Sequence, residues 1–517
     1  MQTVQKNALS APIRLIDSKK PLSGFDIEII VGLATKPTAP RGGRWTPEVT
    51  EQFSRKLAKA KEGDSKGPYS FRVNWSGGGV SAFVFLKPGA SAFDTQTELR
   101  EALSDLSETV RAAAAEKERP ALRFDVAGLG AKEQSRALSA LALLFETAAW
   151  KAPMYGKKGE KAAKKVSNRE LEVSVVSKVA PKEVRAIFEQ AAALGEANNW
   201  VRTLAMLPTN ELGPAQYRKW IENYAKTKGL KYEFMDRKAL EKENAGAFLA
   251  VLRADPETAG GIAKLTYKPK GASKKTKKLA LVGKGLCYDT GGYNVKTGSY
   301  MFGMHNDMTG SAVAAALTGL HADLESKLEV VCYLALAENL ISPTAYKPNE
   351  VVVASNGKSI EVVDTDAEGR MVLSDTLVIA SREKPDLMLD FATLTGAAVR
   401  AIDVRRAAVF SNEQKLLKDC YEAGEESGER VWGFPIGDDF MKELESKVAD
   451  LRQCASSDAA DHIYAASFLA EFVAEGIRWV HMDLTPNEVK GGLGLIGTET
   501  TGFGVFWAHE LVRRLLK

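Results

Sequence analysis

Seven consecutive residues concentrate the side chains that metal chemistry requires. Residues 364–370 read Asp-Thr-Asp-Ala-Glu-Gly-Arg and stand between an apolar run and a helical pattern. Carboxylates crowd together when a positive group lies among them, and in proteins a divalent metal ion commonly fills that role. Taken alone, the heptad only modestly favours a metal site over a solvated acidic turn.

A second charged segment precedes the heptad. Lys284 and Asp289 follow the apolar run 279–282, and Lys296 and Asp307 come after them. The run predicts a buried strand, so both charged residues would hang off the end of a strand, where α/β proteins bind ligands. Neighbouring glycines would let the backbone turn sharply. Two acidic, loop-borne segments with positive residues nearby predict a two-metal hydrolase, because carboxylates bridge paired ions.

Together these segments resemble the leucyl, or cytosol, aminopeptidases, two-metal exopeptidases that remove the N-terminal residue from peptides. The family pattern runs close to VGKGxxxD[ST]GG, a lysine seven residues after that aspartate, MxxDM, NTDAEGR and ATLTGA. The corresponding segments here are 282–292, Lys296, 304–308, 364–370 and 392–397. Several charged positions at fixed spacing make this match more specific than a lone glycine motif, and the resemblance covers roughly residues 195–517.

The resemblance implies a metal-binding role for five residues. Asp289 and Glu368 would bridge two divalent ions. Lys284 and Asp307 would complete the tighter site, and Asp366 the more exchangeable one. Oxygen ligands suit zinc or manganese, the expected ions, and also magnesium or cobalt. A lysine ligates a metal only as the neutral amine, so burial and an adjacent cation must lower its pKa.

The resemblance also implies the catalytic and substrate-binding residues. Lys296 would polarise the scissile carbonyl, and Arg370 would hold a bicarbonate ion as general base toward the bridging water. Arg370 could instead simply pair with Glu368 across the start of a helix. The expected substrate-binding residues are Met304, Thr393, Leu394 and Gly396. A homohexamer acting on short peptides is the assembly that the resemblance implies.

The chain departs from the family pattern at four positions. Asp364 stands where asparagine is usual, Thr290 where serine is commoner, Thr297 where proline is usual, and His305 where lysine or arginine is common. None of these removes a predicted ligand. The extra carboxylate of Asp364 is expected to tighten cation binding or to raise the pKa of a neighbour.

Composition agrees with this interpretation and excludes other classes. The length of 517 residues predicts at least two domains, and 45% hydrophobic with 26% charged residues is ordinary for a globular protein. The four cysteines lack CxxC spacing, so a thiolate zinc site is not expected, and Cys287 is interpreted as a small buried residue rather than a ligand. No HExxH motif occurs. The first six residues lack a signal-peptide pattern and no apolar run reaches 18 residues, so a cytoplasmic location without membrane contact is expected.

Strand and helix patterns alternate along the chain and predict an α/β fold. A smaller N-terminal α/β domain is expected over residues 1–190, serving oligomerisation or access and carrying no catalytic residues. The larger catalytic α/β domain is expected over 191–517, with a mostly parallel central sheet flanked by helices. Predicted strands are 25–34, 69–75, 80–86, 121–126, 170–176, 279–282, 328–334, 386–390, 407–410 and 479–483. Predicted helices are 98–116, 132–150, 181–205, 309–321, 369–381, 412–424, 465–476 and 505–516.

Two lysine runs raise nucleic-acid binding as an alternative function. They lie at 157–165, inside a basic excursion over 155–165, and at 268–278, which looks like the tip of a hairpin before a core strand. Some members of the resembling family bind DNA as architectural or regulatory proteins. However, the net charge is only +4 and no aromatic residues are interleaved, so solvated loops are favoured and nucleic acid is not an expected partner. A scaffold that keeps its site unused is disfavoured because every expected ligand is present.

Overall fold

The structure, a computed structural model, describes residues 13–17, 27–34, 47–61, 68–74, 80–115, 122–148, 150–157, 169–254 and 259–516. The chain divides into two compact units. The first consists of Met1–Asn199, Glu425–Gly428 and Lys490–Glu499, and the second of Trp200–Gly424, Glu429–Val489 and Thr500–Lys517. The division at 199 falls within the same helix as the predicted boundary near 190, and the domain assignment itself stays a prediction.

The first unit is a six-stranded sheet with helices. Its strands are β1 Ile13–Asp17, β2 Ile27–Leu33, β3 Tyr69–Asn74, β4 Val80–Leu86, β5 Leu122–Asp125 and β6 Arg169–Val176. Its helices are α1 Pro47–Lys61, α2 Ala92–Ala115 and α3 Ala131–Ala148, and α4 Pro181–Ala205 leads out of it. The strand order is β1-β6-β5-β2-β4-β3, with all neighbours parallel except β3 and β4. Most of the basic excursion predicted at 155–165 lies outside the described residues.

An aromatic cluster holds α1 against this sheet. Phe53 of α1 packs on Phe71 of β3 and Phe83 of β4, with ring centroids 5.5 and 4.8 Å away. These side chains recur on one face of their strands because side chains alternate along a strand. Strand β2 is buried along nearly its whole length, which is typical of a parallel strand covered on both faces.

The second unit is built on an eight-stranded sheet. Its further strands are β7 Lys231–Met235, β8 Gly261–Tyr267, β9 Lys278–Asp289, β10 Glu329–Asn339, β11 Val351–Val353, β12 Ser359–Glu361, β13 Leu387–Ala392, β14 Ala407–Ser411, β15 Val431–Gly433, β16 Leu451–Arg452 and β17 Trp479–Asp483. Its helices are α5 Pro214–Lys228, α6 Arg237–Lys242, α7 Gly246–Leu252, α8 Thr309–Asp323, α9 Glu368–Ser381, α10 Gly396–Ile402, α11 Leu416–Ser427, α12 Asp438–Met441, α13 Asp461–Ala470 and α14 Val505–Leu515.

The centre of this sheet is parallel, which aligns the ends of the strands that bear the charged segments. The order is β15-β14-β17-β13-β9-β10-β8-β7, and β17, β13, β9 and β10 run parallel while β7, β8 and β14 pair antiparallel. Helix α8 connects β9 to β10, and α9 precedes β13. The small strands β11, β12 and β16 form a separate sheet. The predicted α/β architecture with a mostly parallel central sheet is confirmed.

Strand β9 is longer than the sequence indicated, and the prediction that Lys284 hangs off its end was wrong. Lys284 lies inside the strand, which continues to Asp289. Gly283 serves close packing rather than turning, because a Cβ there would lie 2.6 Å from the carbonyl oxygen of Gly310 in α8. The turn comes later, where Gly291 and Gly292 have φ of 83° and 64°.

The lysine run at 268–278 is not the tip of a hairpin, because β8 and β9 both pair with β10 and not with each other. Its lysines face acidic side chains. Lys268 lies near Glu329, and Lys277 near Asp386. These contacts fit the solvated-loop interpretation. Two predicted helices have different bounds in the structure. The helices predicted at 412–424 and 465–476 lie at 416–427 and 461–470.

Within the described parts of the chain, no helix combines the length and apolar character needed to cross a membrane.

Glu429 makes the stability of the second unit depend on pH. Its buried Oε2 accepts hydrogen bonds from the backbone N–H groups of Gly504 (3.0 Å) and Trp507 (2.8 Å) at the start of α14. Burial raises the pKa of Glu429 from 4.5 to about 8. Since the folded state then binds more protons than the unfolded state, the stability contributed by this group is full below pH 4.5 and is lost as pH rises through about 8.

The variant Glu429→Gln should not lose this stability as the pH rises, because a glutamine side chain does not titrate. Its free energy of unfolding relative to the unsubstituted protein should rise between pH 5 and 8, by up to about 1.4 kcal/mol per pH unit. Thermal unfolding temperatures measured across this range test the trend, with Glu425→Gln, an exposed position, as the matched control. A difference that stays constant with pH would show that Glu429 does not titrate there.

Candidate metal centre

The charged segments meet at one edge of the central sheet. Asp289 is the last residue of β9, and Asn339, the last residue of β10, is its register partner. Glu368 is the first residue of α9, and Thr393 follows β13 directly. Because β9, β10 and β13 are parallel, their carboxyl ends lie side by side, which is where α/β sheets bind ligands.

Three carboxylates form the centre of the site. Asp289, Asp366 and Glu368 each offer an oxygen, and these oxygens lie within 4.8 Å of one another. Asp289 and Glu368 are buried, whereas Asp366 is partly open to the cavity. This spacing allows a single cation to touch more than one of them, as a bridged metal pair needs.

Two lysines lie among these acidic groups. The ammonium of Lys284 is 2.9 Å from Asp307 Oδ2 and 3.0 Å from Glu368 Oε1. The ammonium of Lys296 is 2.8 Å from Asp289 Oδ2 and 2.6 Å from Asp366 Oδ1.

The four carboxylates therefore share two ammonium groups, which leaves negative charge without a counter-ion. Burial and the charge of Asp289 raise the pKa of Glu368 to about 8, and burial raises the pKa of Asp307 and of Asp366 to about 6. Asp307 Oδ2 and Asp366 Oδ1 face these ammonium groups in ion pairs without well-aligned hydrogen bonds among the described residues. A cluster of mostly oxygen donors with surplus negative charge fits divalent cations.

Lys284 is a special case among the donors. Burial lowers its pKa, but Asp307, Glu368 and Asp289 together outweigh burial, so its pKa lies above the usual range. It also donates to the carbonyl oxygen of Thr393 at 3.0 Å. Lys284 can become a neutral amine ligand only when cations compete with it for those carboxylates.

Arg370, the last residue of the heptad, is buried. Its guanidinium donates to Asp461 Oδ2 at 2.7 Å and to the carbonyl oxygen of Gln453 at 3.2 Å, while its Nε has no hydrogen-bond partner in the described structure. The alternative that Arg370 pairs with Glu368 was wrong, because the acidic partner of Arg370 is Asp461. The guanidinium charge is therefore paired with Asp461, and its buried Nε–H is the donor left without a partner among the described residues.

A cavity of about 780 Å³ connects these groups. Ten of the eleven predicted site residues line it, and Glu368 reaches the group through its contact with Lys284. The lining set comprises Lys284, Asp289, Lys296, Met304, Asp307, Asp366, Arg370, Thr393, Leu394 and Gly396. The structure thus brings all eleven together, and the role of each stays a prediction.

Asn339 is a central residue that the sequence analysis missed. Its buried Nδ2 donates to Asp289 Oδ1 at 2.8 Å and to the carbonyl oxygen of Thr365 at 2.9 Å, and lies 3.3 Å from Glu368 Oε2. It therefore orients both of the carboxylates predicted to bridge. The sequence did contain a weak signal for Asn339, because this residue ends an apolar run as Asp289 does. A single asparagine at the end of a strand is too common to indicate a functional site.

Asp483 was missed for the same reason. It accepts hydrogen bonds from the backbone N–H of Leu394 (2.9 Å) and from Thr395 Oγ1 (2.7 Å). The loop that it holds presents the Thr393 hydroxyl to Asp307 Oδ1 at 2.6 Å. Asp483 thus positions a loop that contacts two predicted metal ligands.

Two of the noted positions have local explanations. Asp364 Oδ1 accepts a hydrogen bond from the backbone N–H of Asp366 at 2.8 Å, so the carboxylate shapes the turn that presents Asp366. Cys287 is buried in β9, with its Sγ 3.9 Å from the carbonyl oxygen of Gly285, as expected for a small packing residue.

Comparison with known proteins gives consistent matches. The family model described as the cytosol aminopeptidase family, catalytic domain, matches residues 199–507. A probable cytosol aminopeptidase of Sulfurihydrogenibium is 37% identical over 291 residues, covering 56% of this chain and 57% of the relative. One of Streptomyces coelicolor is 38% identical over 312 residues, covering 60% and 59%. The matched part therefore spans less than two thirds of these relatives.

Two solved structures resemble nearly the whole chain. A mutant of tomato leucine aminopeptidase superposes with a TM-score of 0.79 at 25% identity, covering 98% of this chain and 99% of that one. The bottromycin maturation enzyme BotP in complex with Mn superposes with a TM-score of 0.76 at 28% identity, covering 96% and 100%.

Removing the amide of Asn339 should weaken metal binding. In Asn339→Ala, the oxygens of Asp289 and Glu368 lose their shared donor, and loss of such a supporting partner typically costs about 10- to 100-fold in metal affinity. Titration calorimetry with Mn²⁺ or Zn²⁺ measures the change, and Asn223→Ala, at an exposed position of α5, is the control. Unchanged affinity in a folded Asn339→Ala variant would contradict the positioning role.

Proposed function

The chain belongs to the cytosol aminopeptidase family, and from this premise we propose that it is a metal-dependent aminopeptidase that hydrolyses the N-terminal residue from peptides. The observation that carries the proposal is the group of four carboxylates and two lysines at the ends of β9, β10 and β13, facing one cavity. We propose short peptides as substrates, a homohexameric assembly and a cytoplasmic location, as the family resemblance implies.

Two divalent ions would be held by the residues named above. Asp289 and Glu368 would bridge them, Lys284 and Asp307 would complete one site, and Asp366 the other. When bound, such ions supply a water made acidic enough to attack near pH 7 and polarise the scissile carbonyl. Zinc or manganese is proposed, with magnesium or cobalt as alternatives, and the similar structure of BotP, which is in complex with Mn, supports manganese.

Lys296 would act on the carbonyl oxygen of the scissile bond. Burial lowers its pKa, but the charges of Asp289, Glu368 and Asp366 outweigh burial and keep its pKa above the usual range. The side chain is therefore charged while it is paired with these carboxylates, and it lines the cavity. A fixed ammonium in a largely buried site is a good partner for the negative charge that develops on that oxygen.

Arg370 would hold the general base. Its buried guanidinium has an unpartnered Nε and lines the same cavity, which supports binding of a small planar anion. We propose bicarbonate as that anion, positioned to accept a proton from the attacking water. Asp461 and Gln453 would fix the guanidinium from behind through the hydrogen bonds given above.

The hydrolytic activity can be tested directly. Protein stripped of metal and supplied with Zn²⁺, Mn²⁺, Co²⁺ or Mg²⁺ should release the N-terminal residue from dipeptides and aminoacyl-p-nitroanilides. N-acetylated versions of the same substrates should be inert, because a free α-amine is expected to be a metal ligand. Absence of hydrolysis with every metal, or equal hydrolysis of the acetylated controls, would contradict an aminopeptidase.

Substitutions of Lys296 and of Asp289 should distinguish a loss of catalysis from a loss of metal binding. Lys296→Ala should lower kcat by about 100-fold or more while metal content is retained, since it removes the proposed oxyanion partner and no proposed metal ligand. Asp289→Ala should lose both activity and metal, because it removes a bridging ligand. Metal content by atomic emission, together with kcat, distinguishes the two, and Lys347→Ala, away from the cavity, serves as control. Equal metal loss in both variants would refute the role given to Lys296.

A further inference from the structure

The part of the cavity wall that contains Asn487 and Glu488 bears on substrate selectivity. This inference rests on the proposed function. Met304, Thr393 and Gly396 are expected substrate-binding residues, and the first side chain of the peptide is the part they are expected to contact. They share the cavity with Thr485, Asn487 and Glu488. The segment Thr485–Asn487 follows β17, at the same edge of the sheet as the metal centre. No sequence motif marks this segment.

Asn487 offers an unused acceptor in this wall. The residue is 6% exposed, and its side-chain Oδ1 has no hydrogen-bond partner within the described structure. The neighbouring Thr485 is not equivalent, because its hydroxyl already donates to the carbonyl oxygen of Arg406. A buried amide oxygen without a donor is costly unless a ligand supplies one.

Glu488 adds a negative charge beside that acceptor. It is exposed, lines the same cavity as Met304, and its negative charge acts on His305, the residue that follows Met304. No ion pair is formed by Glu488 among the described residues. Its charge is therefore open to whatever occupies the cavity.

The cations of the cavity wall are engaged elsewhere. Eight lining residues are acidic and four are basic. Lys284 and Lys296 face the metal-centre carboxylates, Arg370 pairs with Asp461, and Arg400 with Asp458 at 3.0 Å. None of these four contacts involves Glu488, so no basic residue of the described cavity lining neutralises its charge.

We propose that the pocket for the first residue selects a cationic side chain, so that peptides beginning with arginine or lysine are the preferred substrates. The aliphatic part of such a side chain would pack beside Met304, and its charged end would donate to Asn487 Oδ1 and Glu488. Arginine is favoured over lysine because its guanidinium presents several donors at once. A partly exposed charge pair with one added hydrogen bond gives a modest preference, of about five- to twentyfold.

Matched substrates isolate the charge from the shape of the side chain. The p-nitroanilides of arginine and citrulline are nearly isosteric, as are those of lysine and norleucine, and each pair differs chiefly in charge. With the metal-loaded protein, kcat/KM should favour arginine over citrulline by at least about fivefold. Glu488→Gln should bring this ratio close to one by lowering kcat/KM for arginine far more than for citrulline. The control Glu475→Gln, exposed and away from the cavity, should leave the ratio unchanged.

Charge reversal provides a second variant. Glu488→Lys should invert the order, so that glutamyl substrates are cleaved faster than arginyl ones. An active enzyme whose arginine-to-citrulline ratio is near one, or is the same in Glu488→Gln, would overturn this inference and leave the aminopeptidase proposal standing. No hydrolysis of any substrate with any metal would instead overturn both, so the two failures are distinguishable.

Discussion

Mutual repulsion among buried carboxylates is the constraint on which this structure depends. Asp289, Asp307, Asp366 and Glu368 lie close together at one edge of the sheet, and burial denies three of them most of the water that would screen them. Like charges at such range cannot all remain ionised without cations nearby. Lys284 and Lys296 meet part of this need, and divalent ions would meet the rest. Burial and the negative charge that the lysines do not balance together raise the pKa of Glu368.

The scaffold holds the carboxylates in place against this repulsion. Parallel pairing of β9 with β10 sets Asn339 opposite Asp289, and the amide then bridges Asp289 and Glu368. Gly283 lets α8 approach β9, so that Lys284 can remain in the strand and still reach Asp307. These features show why the site lies on rigid elements, since a shift of an ångström would separate the ligands.

Local motifs made much of this site predictable. The heptad and the segment from 283 to 307 each carry several charged residues within a short span, so the sequence alone indicated which side chains would meet. The apolar runs of the parallel strands were equally visible, and β17 and β4 have the predicted bounds. The fold class followed from the alternation of strands and helices.

Residues whose importance comes from tertiary register were not predictable in this way. Asn339 and Asp483 are single polar residues at strand ends, and only the pairing of β10 with β9 and of β17 with β13 brings them to the site. The length of β9 was missed because glycines weaken the strand signal, while packing against α8 and β10 requires them. Asn487 and Glu488 likewise carry no motif, and the cavity alone relates them to Met304.

Two divalent ions are proposed to complete the charge balance of the carboxylate cluster. A crystal structure of the protein with Mn²⁺, with anomalous scattering recorded for manganese, would test this proposal. We expect two anomalous peaks between Asp289, Asp307, Asp366 and Glu368, with Lys284 turned from an ion-pair partner into a metal ligand. A map without manganese in this cluster, in which both lysines keep their ion pairs with the carboxylates, would contradict it.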